Sequence, residues 1–402
     1  MKTDSMSSEP PGIVIAGAGL AGVRTARKLR DLRYTGRIRL LSEEDEHPYD
    51  RPPLSKGFLL GQRSEETIRL STPERYAAQG IELELGTRVT GVDPRSGTLG
   101  LADGTEVAYQ QLVVATGARP RPLDALPPSP AVHYLRTADD ARRLAAALTP
   151  GARVAVIGGG FIGLEVASAA LSLGCTAAVV EMAELPLAGI VGTGPARWLR
   201  SWHAARGVDF RCGVTVTDCC DLDGVQRLRL SDGTAVDADA VVVGVGVIRE
   251  TGWLSSAGLD VHLGLVCDLA GRTHLPGILG VGDVVCRHDG TGCRPIAHWT
   301  AASDSAIRAA EVLVRGEPST VADDGFFWSD QVDLRLQFAG RADPDSVLTL
   351  AEGSLQGDAF VLRYTTCGRL TGVFAANSPR GFLRARMDLR LAGTPAPEGN
   401  ST

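Results

Sequence analysis

The sequence predicts an α/β protein: two Rossmann-like dinucleotide-binding domains, one discontinuous and one inserted into it, followed by a C-terminal α+β domain. Three observations carry that prediction. The phrase GIVIAGAGLAG at residues 12–22 turns an apolar run into a helical one on three glycines. VAVIGGGFIGLE at residues 154–165 does the same again. From Phe326 onward the spacing changes to the alternation of half-buried strands, first VDLRLQF and then FVLRYTTCGRLTGVFAAN about a turn near Cys367-Gly368.

Length and composition set the frame. At roughly 150 residues per domain, 402 residues hold two or three domains. Apolar residues make up 44% and charged ones 22%, the values of an ordinary soluble globular protein. A net charge of −6 argues against nucleic acid as the main partner. The start, MKTDSMSSEPP, has no apolar signal core, and no stretch reads as a membrane span, which points to the cytoplasm. The eight cysteines show no CxxC pair and no zinc spacing, so they read as thiols and no metal site is expected.

In the first phrase, Gly17, Gly19 and Gly22 fall on the G-x-G-x-x-G template after the strand GIVIAG. The first glycine permits the tight turn, the second admits a diphosphate to the backbone, and the third lets helix and strand approach. Leu20 and Ala21 open the helix, whose free N–H groups favour an anion. The next strand, RIRLLSE, ends in Glu43 and Glu44, placed to accept ribose hydroxyls.

The second phrase supplies the same parts. Gly158, Gly160 and Gly163 make the turn, Phe161 and Ile162 open the helix, and TAAVVE ends in Glu181. Strand, turn, helix, strand and terminal acid recur in one order, so the chain is expected to bind two dinucleotides. Glu181 accepts from a 2′-hydroxyl but repels a 2′-phosphate by about 4 kcal/mol per charge pair at 4 Å and an effective dielectric near 20. Met182, Ala183 and Glu184 follow without a basic residue, which favours NADH over NADPH.

The segment HPYDRPPLSKGFL (47–59), with QLVVATG (111–117), THLPGILGVGD (273–283), FFWSDQ (326–331) and FAANSPRGFL (374–383), resembles the FAD- and NADH-dependent ferredoxin reductases of the putidaredoxin reductase and rhodocoxin reductase type. That resemblance covers nearly the whole chain. It implies an oxidoreductase that passes electrons from NADH through FAD to a [2Fe-2S] ferredoxin serving a cytochrome P450 or Rieske oxygenase. It also implies an FAD domain at 1–115 and 245–322, an NAD domain at 116–244 and a reductase C-terminal domain at 323–397.

The resemblance assigns residues as well. Arg51, Val89, Ala115, Thr116, Gly117 and Arg121 would border the FAD. Asp283 would hold its ribityl chain, His298 and Trp299 would flank the ring, and Trp328 would cover it. Gly246 would sit by the nicotinamide nucleotide. Lys56 and Glu165 would form an ion pair where flavin and nicotinamide meet, positioning the reactants. Relatives often carry E-H-W-x-N-A-x-x-Q where this chain reads AHWTAASDS, so Ala297, Ala301 and Ser305 replace Glu, Asn and Gln.

The last predicted helix, SPRGFLRARMDLRLAG, starts with Ser378 as cap and Pro379 in its first turn. It holds Arg380, Arg384, Arg386 and Arg390, either a solvated face or a docking aid for an acidic ferredoxin. A disulfide reductase is disfavoured because the first 174 residues contain no cysteine. A flavoprotein oxidase or specialised biosynthetic flavoenzyme, and a redox-switched FAD-bearing interaction protein, remain alternatives.

Overall fold

The structure, a computed structural model, describes residues 11–288, 292–295, 298–319 and 324–393. The polar start, Ala297 and the tail TPAPEGNST lie outside the described residues. The chain divides into two units. The first comprises residues 1–50, 68–119 and 248–321, and the second 51–67, 120–247 and 322–402. Among the described residues no helix is long and apolar enough to cross a membrane.

The first unit is built on a five-stranded sheet in the order Ile278–Gly280, Gln111–Val114, Ile13–Ala16, Ile38–Leu41, Ile81–Glu84. All its pairings are parallel. Every residue of Ile13–Ala16 is buried, as expected of a parallel strand covered on both faces. On one face the helix Leu20–Asp31 turns Ala21, Val23, Ala26 and Leu29 inward, into a cluster shared with Ala302, Ala309 and Ala310 of the helix Trp299–Arg315. On the other, Val14, Ala16 and Leu112 pack with Leu99, Leu254 and Leu265. Full burial of each such leucine contributes roughly 1.5–3 kcal/mol. An antiparallel trio, Val89–Asp93, Thr98–Leu101 and Glu106–Ala108, precedes the strand Gln111–Val114.

The second unit repeats this plan. Its parallel sheet runs Val208–Cys212, Thr176–Glu181, Arg153–Ile157, Ala240–Val243, Val132–Tyr134. Again an antiparallel trio, Val216–Leu222, Val225–Leu230 and Ala235–Ala238, is inserted before the strand beside the central one. The duplication therefore reaches beyond the two glycine phrases, into LADGTEVAYQQLVVATG (101–117) and LSDGTAVDADAVVVGVG (230–246), which share the DGT turn and the apolar strand that follows it.

The unit also holds a five-stranded antiparallel sheet, ordered Phe327–Gln331, Leu334–Gly340, Arg369–Ala376, Phe360–Thr366, Val347–Gly353. The hairpin turn falls on Cys367 and Gly368, both at positive φ (49° and 77°) as a tight two-residue turn requires. The helix Pro379–Gly393 buries Phe382, Ala385 and Leu389 on this sheet against Val361, Val373 and Ala375. Phe327 meets Phe161 at a centroid distance of 4.8 Å. The helix Phe161–Ser172 is thus covered by both the parallel sheet and the strand Phe327–Gln331. All its residues from Gly163 to Ala170 are buried, which an amphipathic surface helix would not allow.

One expectation about cysteine needs correction. Cys286 and Cys293 form a disulfide, with Cα atoms 5.6 Å apart. The strands Val285–His288 and Cys293–Pro295 pair antiparallel, and this register brings the two residues together. The other six remain thiols. Burial pushes the Cys267 thiol up to about 12, leaving it unreactive.

Candidate functional site

Both glycine turns have one geometry. Gly17 and Gly158 adopt φ of 111° and 100°, and a Cβ there would lie 2.3 Å from the Ala115 carbonyl oxygen and 2.4 Å from that of Gly244. A Cβ on Gly22 or Gly163 would lie 1.9 or 2.1 Å from the carbonyl oxygen of Gly17 or Gly158. These four are glycine because their own backbone demands it. Gly19 and Gly160 differ, since a Cβ on either would meet nothing within 4 Å. The space they leave open lies over a helix end.

Gly19 and Gly160 are N-caps without a side-chain hydrogen bond, and neither helix has an acid in its first turn. The helix Ala138–Ala147 shows the contrast, with a complete Thr137–Asp140 capping box. A helix end left uncapped behind an open glycine suits the diphosphate of a dinucleotide, and both turns pass that test.

The strand-end acids are held differently. Glu181 accepts from the Gly159 N–H at 2.6 Å and the Ala183 N–H at 2.8 Å, fixing its carboxylate at the second turn. Glu44 accepts from the Tyr49 hydroxyl. Glu43 is exposed and pairs with Arg88 at 3.3 Å, next to Val89 at the start of its strand.

In the first unit the Ala115 N–H donates to Ala16, and Thr116 Oγ1 donates to the Glu250 carbonyl at 2.8 Å. Gly117 accepts from the Glu250 N–H. Asp283 lies in a short 3-10 turn, and His298 caps the helix that begins at Trp299. Trp299 Nε1 donates to Asp50 at 2.7 Å, under the Arg24 guanidinium. Ser305 accepts from the Gly282 N–H at 3.0 Å, so this departure from the relatives supports the turn that carries Asp283. Beside Ala301 and Ser305 a cavity of about 20 Å³ opens.

Arg51, Lys56, Arg121, Gly246 and Trp328, with the second turn, belong to the second unit. Arg51 donates to the Arg136 carbonyl at 2.6 Å, the Arg121 N–H donates to Gly246, and Trp328 stacks on Phe326. Of the arginines on the last helix, Arg386 and Arg390 bind Asp324, each at 2.7 Å, and Arg384 binds Glu352. Burial acts to raise the Asp324 pKa, but the two guanidinium groups outweigh it and hold the carboxyl below its usual range. Three of the four charges are thus offset inside their own domain.

The densest polar cluster surrounds Glu165. Lys56 Nζ lies 2.8 Å from its Oε2, which also accepts from the Ser55 hydroxyl, and Oε1 accepts from Ser329 at 2.5 Å. Lys56 also donates to the Pro52 carbonyl at 3.2 Å. Burial raises the Glu165 pKa, and Lys56 with the two serines works against that rise. The Lys56–Glu165 pair is the one the family resemblance implies. Ser55 and Ser329 are not legible as its partners, although one signal existed: Ser329 and Gln331 stand at inward positions of a strand where apolar residues belong.

The pyridine nucleotide-disulphide oxidoreductase family matches residues 11–306, and the reductase C-terminal family matches 326–398. The ferredoxin–NAD(+) reductase component of the p-cumate 2,3-dioxygenase system of Pseudomonas putida is 37% identical, over 98% of this chain and 96% of its own. The corresponding component of the anthranilate 1,2-dioxygenase system of Burkholderia cepacia is 36% identical, over 98% and 97%. The covalent putidaredoxin reductase–putidaredoxin complex superposes with a TM-score of 0.89 at 32% identity, covering 96% of both chains. This chain belongs to the pyridine nucleotide-disulphide oxidoreductase family and, within it, to the FAD- and NADH-dependent ferredoxin reductases.

Proposed function

We propose that the chain is an NADH:ferredoxin oxidoreductase that supplies a [2Fe-2S] ferredoxin of a cytochrome P450 or Rieske oxygenase, in the cytoplasm where NADH is made. The observation that carries this reading is Glu165, on the helix that opens at Gly160, paired with Lys56, in a chain with a second open cradle at Gly19. FAD would occupy the first cradle and NADH the second, with 1–115 and 245–322 as the FAD domain, 116–244 as the NAD domain and 323–397 as the third. When bound, FAD accepts a hydride and releases electrons singly, the conversion a one-electron iron–sulfur acceptor needs.

The chain's residues bind and orient. N–H groups behind Gly19 and Gly160 hold the diphosphates, and Glu181, fixed by two N–H donors, accepts the ribose hydroxyls of NADH. Lys56 and Glu165 set the distance and angle of the reacting rings. Orientation is the contribution required, because hydride transfer itself calls for no acid. Arg51, Asp283, His298, Trp299 and Trp328 would line the flavin.

Purified protein should be yellow with one FAD per chain. NADH, but not NADPH at equal concentration, should drive cytochrome c reduction only when a [2Fe-2S] ferredoxin is added. Colourless protein that refuses flavin, or turnover independent of ferredoxin, would overturn the proposal.

A further inference from the structure

The buried cluster extends past Glu165 through the C-terminal domain. Ser329 Oγ accepts from Gln331 Nε2 at 3.1 Å, and Gln331 Oε1 lies 2.6 Å from His203 Nε2. Ser329 and Gln331 are wholly buried and His203 is 1% exposed. Hydrogen-bond capacity fixes the direction of every link. An ionised Glu165 can only accept, so the single Ser329 proton goes to it and Ser329 must accept from the Gln331 amide. That turns the Gln331 carbonyl to His203, whose Nε2 must therefore carry hydrogen. Three successive donors thus point at one carboxylate oxygen, an arrangement in which each bond strengthens the next.

We propose that Ser329 and Gln331 of the C-terminal domain, with His203 of the helix Thr193–Ala204 behind them, are positioning residues that orient the Glu165 carboxylate toward Lys56. The proposal rests on the reading that Lys56 and Glu165 orient NADH. Two serines and one lysine divide the carboxylate between them. Lys56 and Ser55 hold Oε2, and Ser329 alone among the described partners holds Oε1. Without Ser329 the carboxylate could rotate about its terminal bond and shift its distance to Lys56. The far end of the chain is fixed as firmly. Trp202 stacks edge-on to His203 and donates to Asp358, Arg206 covers the Trp202 ring, and Phe210 meets His203 in a second edge-on contact. Burial, with Arg206 nearby, lowers the His203 pKa to about 4 against a partial rise from Gln331, so the ring is neutral when the enzyme works.

The test is stopped-flow reduction of the bound flavin by NADH, across pH, with saturation kinetics. Ser329→Ala and Gln331→Met should lower the limiting rate about tenfold while the apparent Kd for NADH stays within about twofold, because orientation and not affinity is lost. The acid limb of Ser329→Ala should move to higher pH, since Glu165 loses a bond that favours its charge. Ser329→Thr, which keeps the hydroxyl, should restore both. Unchanged rate and acid limb in Ser329→Ala would overturn the proposal. If those variants fail to fold, ¹⁵N NMR of the wild-type holoenzyme decides: His203 must show the neutral Nε2–H tautomer, and an Nδ1–H tautomer refutes the chain. Lys56→Ala and Glu165→Ala separate the two readings. If neither affects flavin reduction, the role of the pair itself is wrong. If both do while Ser329→Ala does not, only the chain is wrong.

Discussion

Lys56 Nζ stands 2.8 Å from Glu165 Oε2, with the lysine side chain 18% exposed and the carboxylate 4%. Taking one partner from a buried pair typically costs 3–5 kcal/mol, or else the remaining group neutralises. Burial already pushes the Glu165 pKa up, and Lys56 is the largest force against it. Lys56→Met should therefore move Glu165 further toward its protonated form. We expect slower NADH-driven flavin reduction that recovers part of its rate as the pH is raised, measured by stopped flow. A flat profile identical to wild type would refute the expectation.

The turn glycines separate into folding and binding positions. Gly22→Ala puts a Cβ 1.9 Å from the Gly17 carbonyl, and Gly163→Ala puts one 2.1 Å from that of Gly158. Both variants should be insoluble or strongly destabilised. Gly19→Ala and Gly160→Ala meet no protein atom within 4 Å. Gly19→Ala should fold but retain little FAD. Gly160→Ala should keep its FAD and lose affinity for NADH by about tenfold or more, the scale of a lost diphosphate contact. Flavin content and NADH titration distinguish the four.

Glu181 governs the choice of nicotinamide nucleotide by charge. At an effective dielectric near 20 its repulsion of a 2′-phosphate is about 4 kcal/mol at 4 Å. Glu181→Gln should narrow the ratio of kcat/KM for NADH over NADPH by at least about tenfold. Because the same carboxylate accepts from the Gly159 and Ala183 N–H groups, the variant should also bind NADH less tightly.

His203 makes the protein acid-sensitive in a defined window. Its pKa falls from 6.5 to about 4 on folding, chiefly through burial, so between those values the unfolded chain binds the proton and the native protein does not. Its stabilising contribution is whole above about pH 6.5 and is lost as pH falls toward 4. By linkage that loss is about 2 kcal/mol between pH 7 and pH 5. His203→Gln should lose less stability over that interval, narrowing the gap between the melting temperatures at the two pH values. An equal gap in variant and wild type would contradict the assignment.

The sequence by itself determined both glycine turns, the acid at each strand end, the hairpin at Cys367-Gly368 and the helix at Pro379, because each is local. A tight turn, a left-handed residue or a helix start is specified by neighbours a few positions away. The Lys56–Glu165 pair was legible only through resemblance to relatives, since nothing in the spacing of those two residues brings them together. Only the tertiary structure showed that Ser55 and Ser329 share that carboxylate, that His203 stands behind them, that Asp324 claims Arg386 and Arg390, and that Cys286 meets Cys293. Alternation along FFWSDQ says which residues face inward. Which side chain they meet depends on how the helix Phe161–Ser172 lies against that strand, a relation set by packing between segments far apart in the chain.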